Sequence, residues 1–287
     1  MRSGVKYSVA VCSLALVASM SVVASRATPE DDKLDSRLLN IELCNGQKQK
    51  TPESQIKGCT ALITGVHETA LVLAVAYNNR GNAYSETGDL DRAIADYDQA
   101  IKFNPTYEKP LNNRGVAYQR KGDYDRAIQD FDAAIKLNAQ YAMAFANRAT
   151  TYQKKNDFAH AASDYDEAIR LEPKLEPLWN GRCWTRAVLG ELKAALSDCD
   201  TALLLQPKDA AAYDSRGFTY LKTGKFDSAV EDYTRALGLN PKLASSFYGR
   251  GLAKLKKGDA IGGKADLEAA KQIEANIADA FSRYGVQ

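Results

Sequence analysis

Histidine is nearly missing from this 287-residue chain: there are two, His67 in a connector and His160 at a position expected on an exposed helix face, and a solvated surface role is expected for both. No nucleophile elbow, phosphate loop or zinc signature is present, so the chain offers no constellation that needs catalysis to explain it. Proline is also scarce, at eight residues, and charged residues make up 26%. That composition excludes a disordered polar chain and favours helices. An excess of one charge is missing as well, with 38 basic residues against 36 acidic. Arg2 and Lys6 lie at the extreme N-terminus, and after Ala24 each sign counts 36. A nucleic-acid binder would carry a basic excess or stripe, so no nucleic-acid partner is expected. Beyond residue 25 no apolar run approaches the length of a membrane span.

The one long uncharged stretch is at the start. Arg2 and Lys6 precede Tyr7–Ser25, whose apolar centre ends in the small residues Val22 and Ala24. Basic start, apolar centre and small end predict a secretory signal over residues 1–24, with an uncleaved anchor as the alternative. Cys12 follows Val11, where a lipoprotein would need a small residue. The rest of the chain is then expected in an oxidising space across the inner membrane, the periplasm.

What is abundant is repetition. Arg80, Arg114, Arg148, Arg182, Arg216 and Arg250 recur every 34 residues. An apolar residue opens each unit, at Tyr77, Leu111, Phe145, Trp179, Tyr213 and Phe247. A turn follows, as Gly88-Asp89 does in the first unit, and then a small residue such as Ala93, a bulky one such as Tyr97, and Ala100. These spacings put one apolar face on each of two helices. Gly88 suits a helix end and Asp89 the next helix's cap. One hairpin cannot bury its face alone, so the hairpins must stack.

This pattern resembles the tetratricopeptide repeat over about four-fifths of the chain beyond the signal. The resemblance implies an all-α fold, a right-handed solenoid of antiparallel helical hairpins. Six repeats are expected, at 74–107, 108–141, 142–175, 176–209, 210–243 and 244–275. A divergent hairpin is expected within an N-terminal extension, 25–73, and a capping helix at 276–287. The chain departs from the family in placing arginine where an aliphatic residue is usual. The second helix of repeat six is degenerate, with Gly262-Gly263-Lys264.

An aspartate keeps register with each arginine: Asp96, Asp130, Asp164, Asp198, Asp232 and Asp266. Arginine's planar fork suits a paired role, so each arginine is expected to bond a second-helix aspartate in its own or the adjoining unit. The alternative is an arginine row for an anionic ligand. Cys183 and Cys199 replace a small and a bulky core residue that face each other within one hairpin, and Cys44 and Cys59 have a similar separation. Two disulfides are expected, Cys44–Cys59 and Cys183–Cys199, with buried free thiols as the alternative.

The resemblance also implies a binding face. In tetratricopeptide proteins a stripe along the first helices lines a concave groove that holds peptides. Carried onto this chain, the early groove is polar: Asn78, Asn82, Asn112, Gln119, Arg120, Gln153 and Lys154. The later groove is apolar, with Trp184, Phe218, Leu221, Tyr248 and Leu252, edged by Asp214. The expected activity is a non-enzymatic scaffold or adaptor for a protein or peptide partner, with no cofactor and no metal. A structural or self-associating protein is the alternative. The chaperone-tail clamp of some relatives fits poorly, since Asn78 and Met143 stand where it needs lysines.

Overall fold

The computed structural model describes residues 29–286 apart from Lys50 and His67. The expected signal, Cys12 and His67 therefore lie outside the described residues. Helices account for nearly all the rest. An N-terminal hairpin of α1 (Pro29–Cys44) and α2 (Pro52–Ile63) precedes α3 (Ala70–Glu86) and α4 (Leu90–Phe103). Five further hairpins follow: α5 (Glu108–Arg120) with α6 (Tyr124–Leu137), α7 (Ala142–Lys154) with α8 (Phe158–Leu171), α9 (Glu176–Leu189) with α10 (Leu192–Leu205), α11 (Ala210–Lys222) with α12 (Phe226–Leu239), and α13 (Ala244–Lys256) with α14 (Ala260–Ile273). A short α15 (Ile277–Arg283) ends the chain. The architecture is all-helical, of stacked helix pairs. Among the described residues no helix is long and apolar enough to cross a membrane.

Local chemistry accounts for each hairpin. Gly88 adopts φ +85°, a left-handed ending that lets the chain reverse. Asn156 takes the same role at φ 61°, one of the few side chains that tolerates it. Asp89 then accepts a hydrogen bond from the Arg92 amide and caps α4. Inside the hairpin Ala93, Ala127, Ala161, Ala195 and Ala229 are fully buried, and so let the helices approach closely. The space between is filled by Tyr97, Phe131 and Tyr233, each contributing roughly 1.5–3 kcal/mol by burial. The repeated glycine of α3 is forced by this packing: a Cβ at Gly81 would lie 2.6 Å from the Tyr97 ring.

First helices touch first helices: α3 meets α5, α5 meets α7, and so on to α13, with no comparable contact between second helices among the described residues. The odd-numbered helices therefore line the inside of the curve. Cys44 bonds Cys59 across α1 and α2, and Cys183 bonds Cys199 across α9 and α10.

Each repeat arginine is the joint between neighbours. Arg114 Nε and Nη2 donate to both carboxylate oxygens of Asp130, at 2.8 and 2.6 Å. Its remaining nitrogen, Nη1, donates to Asp98 of the preceding repeat at 2.5 Å. Arg148, Arg182 and Arg216 repeat the arrangement with Asp164 and Asp132, Asp198 and Asp166, and Asp232 and Asp200. Arg80 and Arg250 keep the forward pair, but their third nitrogen finds a hydroxyl, Thr60 and Thr234. Both expected pairings occur at once, and in the inner repeats each guanidinium is bracketed by two carboxylates, which neutralise it toward an anionic ligand. A less settled polar group sits at the start of α9. Glu176 is buried with Oε1 unbonded among the described residues, and burial together with the nearby Asp209 charge pushes its carboxyl up to about 7.

Candidate functional site

The inner face begins as a chain of amides. Asn79 Nδ2 donates to Asn45 Oδ1 at 3.0 Å, Asn113 to Asn78 and Asn82 at 3.0 and 2.9 Å, and Asn147 to Asn112 at 2.9 Å. Nearly two helical turns on, Gln119 donates to Thr151 and Gln153 to Thr185, both at 2.7 Å. Arg120 donates to the Ser85 carbonyl at 2.7 Å. The expectation that Asn78 and Asn112 face a partner is corrected here: both are buried and bonded to the neighbouring repeat. Asn82, Arg120 and Lys154 remain exposed.

The amide ladder then stops, for a steric reason. The next donor position is Gly181, where a Cβ would lie 2.5 Å from the Tyr165 ring. Tyr165 thus excludes any side chain from that position. Ser215, in the same register one repeat on, carries no amide either. Asn180 repeats the register of Asn78 and Asn112, yet its Oδ1 is buried without a hydrogen-bond partner among the described residues. Such orphaned acceptors are rare in folded chains. Asn180 lines a cleft of about 350 Å³ with Gln153, Lys154, Gly181, Trp184, Ser215 and Tyr284.

Beyond the break the face is apolar, and it is not open. Phe218, Leu221 and Leu252 are buried at 4%, 7% and 8% exposure. The residues above them belong to the chain's own end. Phe281 packs tilted at 4.7 Å from Tyr248 and edge-on at 5.8 Å from Phe218, and Tyr284 meets Trp184 edge-on at 5.1 Å. Tyr284 also reaches Phe158, 6.2 Å away at the start of α8. The expected free aromatic groove is corrected accordingly; the helix expected at 276–287 is present as α15, and it lies along the inner face, against α13.

Two charged groups flank this tail. Lys222 donates to the carbonyls of Tyr284 at 3.0 Å and Val188 at 3.2 Å, and burial lowers its pKa. Asp214 accepts from the hydroxyls of Ser245 and Ser246 at 2.9 and 2.5 Å. Burial pushes its carboxyl up to about 6, against the pull of those hydroxyls. Sequence reasoning placed Asp214 at the edge of the groove but passed over Asn180, Ser215 and Tyr284. The 34-residue register of Asn78 and Asn112 carries the signal for Asn180; Tyr284 lies outside the repeats. His160 is exposed; it bonds its own helix cap, Asp157, and stacks on the Tyr152 ring at 5.1 Å. Among the described residues no group of acids, cysteines and histidines could hold a metal.

Comparison with known proteins gives this geometry its context. Family profiles described as TPR repeat match residues 81–122 and 219–258, and profiles described as tetratricopeptide repeat match 109–141 and 144–175. No curated protein matches. Among solved structures, a tetratricopeptide repeat protein from Parabacteroides merdae superposes with a TM-score of 0.65 at 19% identity, covering 88% of this chain and 99% of its own. PilW, a type IV pilus biogenesis factor, gives 0.62 at 19% identity over 71% of this chain and 94% of its own. YrrB, described as having an unusual peptide-binding site, gives 0.51 at 21% identity over 66% and 98%. At these identities the likeness is one of fold. The repeat profiles fall on the first three arginine-jointed hairpins and on parts of the last two, so the chain carries tetratricopeptide repeats.

Proposed function

We propose that this chain is a non-enzymatic scaffold that holds a protein or peptide segment along its inner face, outside the cytoplasm. Tetratricopeptide repeats typically mediate such binding. The observation that carries the reading here is the break in the amide ladder. Asn180 Oδ1 is a buried acceptor with no partner among the described residues, and Asn180 lines a cleft bounded by Trp184 and Lys154. A backbone N–H of an extended or helical segment would satisfy it, while Trp184 supplies an aromatic wall and Lys154 a charge at the rim. The location rests on the N-terminal residue pattern and on the two cystine pairs, which suit an oxidising compartment.

The test is site-specific photo-crosslinking in the native envelope. A crosslinker at Lys154, on the cleft, should capture a discrete partner; one at Asp98, on the outer joint, should not. Asn180→Leu should abolish capture while the chain stays folded. Equal capture from both positions would overturn the inner-face reading. Crosslinks only to further copies of the chain, with a mass that rises with concentration, would establish self-association instead.

A further inference from the structure

We infer that residues 277–286 are an internal ligand of the inner face. They occupy the place of a partner's short amphipathic helix, which must carry a large aliphatic residue and two aromatics at the spacing of Ile277, Phe281 and Tyr284. This rests on the scaffold reading above and adds the chemistry of the partner and a condition for its entry.

Three observations carry it. First, the tail binds as a ligand would. Ile277 and Phe281 are each 4% exposed, and their side chains enter a surface made by α9, α11 and α13. Spacings of four and three residues place the three anchors on one helical face, the pattern of helix-in-groove recognition. Lys222 supplies a donor to the tail's last carbonyls, where a helix of any origin presents unsatisfied acceptors.

Second, the tail fills the groove incompletely. Segments built into a fold are packed as densely as organic crystals. This one is bordered by three clefts whose walls are shared between tail and groove. One, of about 350 Å³, reaches Asn180 and Trp184 beside Tyr284. Another, of about 270 Å³, lies between Asp214 and Ile277, and a third, of about 290 Å³, between Leu252 and Val286. A longer helix with bulkier flanks would occupy space that this tail leaves open.

Third, the tail is easily released. It is a seven-residue helix held to the solenoid at one end. Helices of that length are unstable alone in water, and chain ends open at free energies well below global unfolding. No disulfide or arginine joint holds it: both cystines and all six forward arginine pairs lie before residue 270.

The test uses the full chain and a labelled synthetic peptide of residues 275–286. The unaltered chain should bind this peptide weakly, because its own tail competes at high local concentration. A Phe281→Ala, Tyr284→Ala chain, altered only in the tail, should bind at least about 10-fold more tightly, the gain expected when a closed state populated above roughly 90% is opened. Adding Trp184→Ala and Phe218→Ala should remove that binding. Equal affinity of the unaltered and tail-altered chains, or no binding by either, would overturn the inference. If the tail-altered chain fails to fold, hydrogen exchange on the unaltered chain decides. Amides 281–284 exchanging faster than the α11 core support a releasable tail, and exchange only with global unfolding sinks it. Tails exchanged between two copies would make a second copy the occupant and overturn the stated partner. Loss of the Lys154 crosslink with the peptide result intact would sink the scaffold reading alone.

Discussion

In repeats one to three the inner stripe is largely of amides that bond one another; in repeats four to six the same face holds Trp184, Phe218 and Tyr248 and receives the chain's own tail. Both halves share a period, a hairpin geometry and an arginine joint. They differ in whether the inner side chains can satisfy each other. Asn78, Asn112 and Asn147 do so, and that half of the face is stitched rather than vacant. Once Tyr165 excludes a side chain at Gly181, the asparagine ladder ends, and the apolar face beyond it is covered by the chain's own tail. A tetratricopeptide groove is thus a competition between neighbours and ligands for the same groups.

The largest effects should test what the halves share. Removing the fork from Arg114 or from Arg216 leaves Asp130 or Asp232 buried and unpaired, which costs about 4 kcal/mol. Urea unfolding of Arg114→Ala and Arg216→Ala should show equal losses; a large loss in one half alone would break the shared-joint picture. Next comes a difference between the halves. Replacing Cys183 and Cys199 by alanine opens a loop of 16 residues, and about 3 kcal/mol should be lost on the chain-entropy account. Calorimetry with and without reductant checks it, the double variant being insensitive to reductant at that hairpin.

A smaller effect sits at the boundary and has a definite sign. The folded pKa of Glu176 is raised to about 7 from 4.5. The native state therefore holds the proton more tightly, and the contribution is fully present below about pH 4.5 and lost as pH rises through 7. Glu176→Gln should stabilise the chain at pH 8 by about 2 kcal/mol and flatten the pH dependence between 5 and 8. A variant that is less stable at pH 8 would show that the carboxylate is satisfied there. The smallest effect sharpens the comparison itself. Asn113→Ala removes a donor to Asn78 and Asn82 and should lose about 1 kcal/mol. Ser215→Ala, in the same register beyond the break, should change stability by less than about 0.5 kcal/mol.

The sequence made legible whatever the period repeats. Six arginines matched by six aspartates announced a paired lattice, and Cys183 and Cys199 stood at positions that must face each other. What it hid was contact made outside the period. Phe281 and Tyr284 have no copies with which to compare them. That Tyr284 meets Phe158 depends on curvature accumulated over several hairpins, which no local pattern states. Trp184 and Phe218 looked like an exposed stripe because the register was known and the tail's path was not. Asn180 was within reach of the same reading. Its register promised a bonded amide, and Ser215, standing where the donating asparagine would be, already signalled the missing donor.

The arginine joint has one more consequence. Every internal repeat presents the same socket to the unit before it and the same plug to the unit after it, with hydroxyls at Thr60 and Thr234 closing the series at either end. Units between those ends are interchangeable parts. A gene duplication or a deletion of whole repeats there would leave each arginine coupling intact, so such a chain can change its length without redesigning that joint.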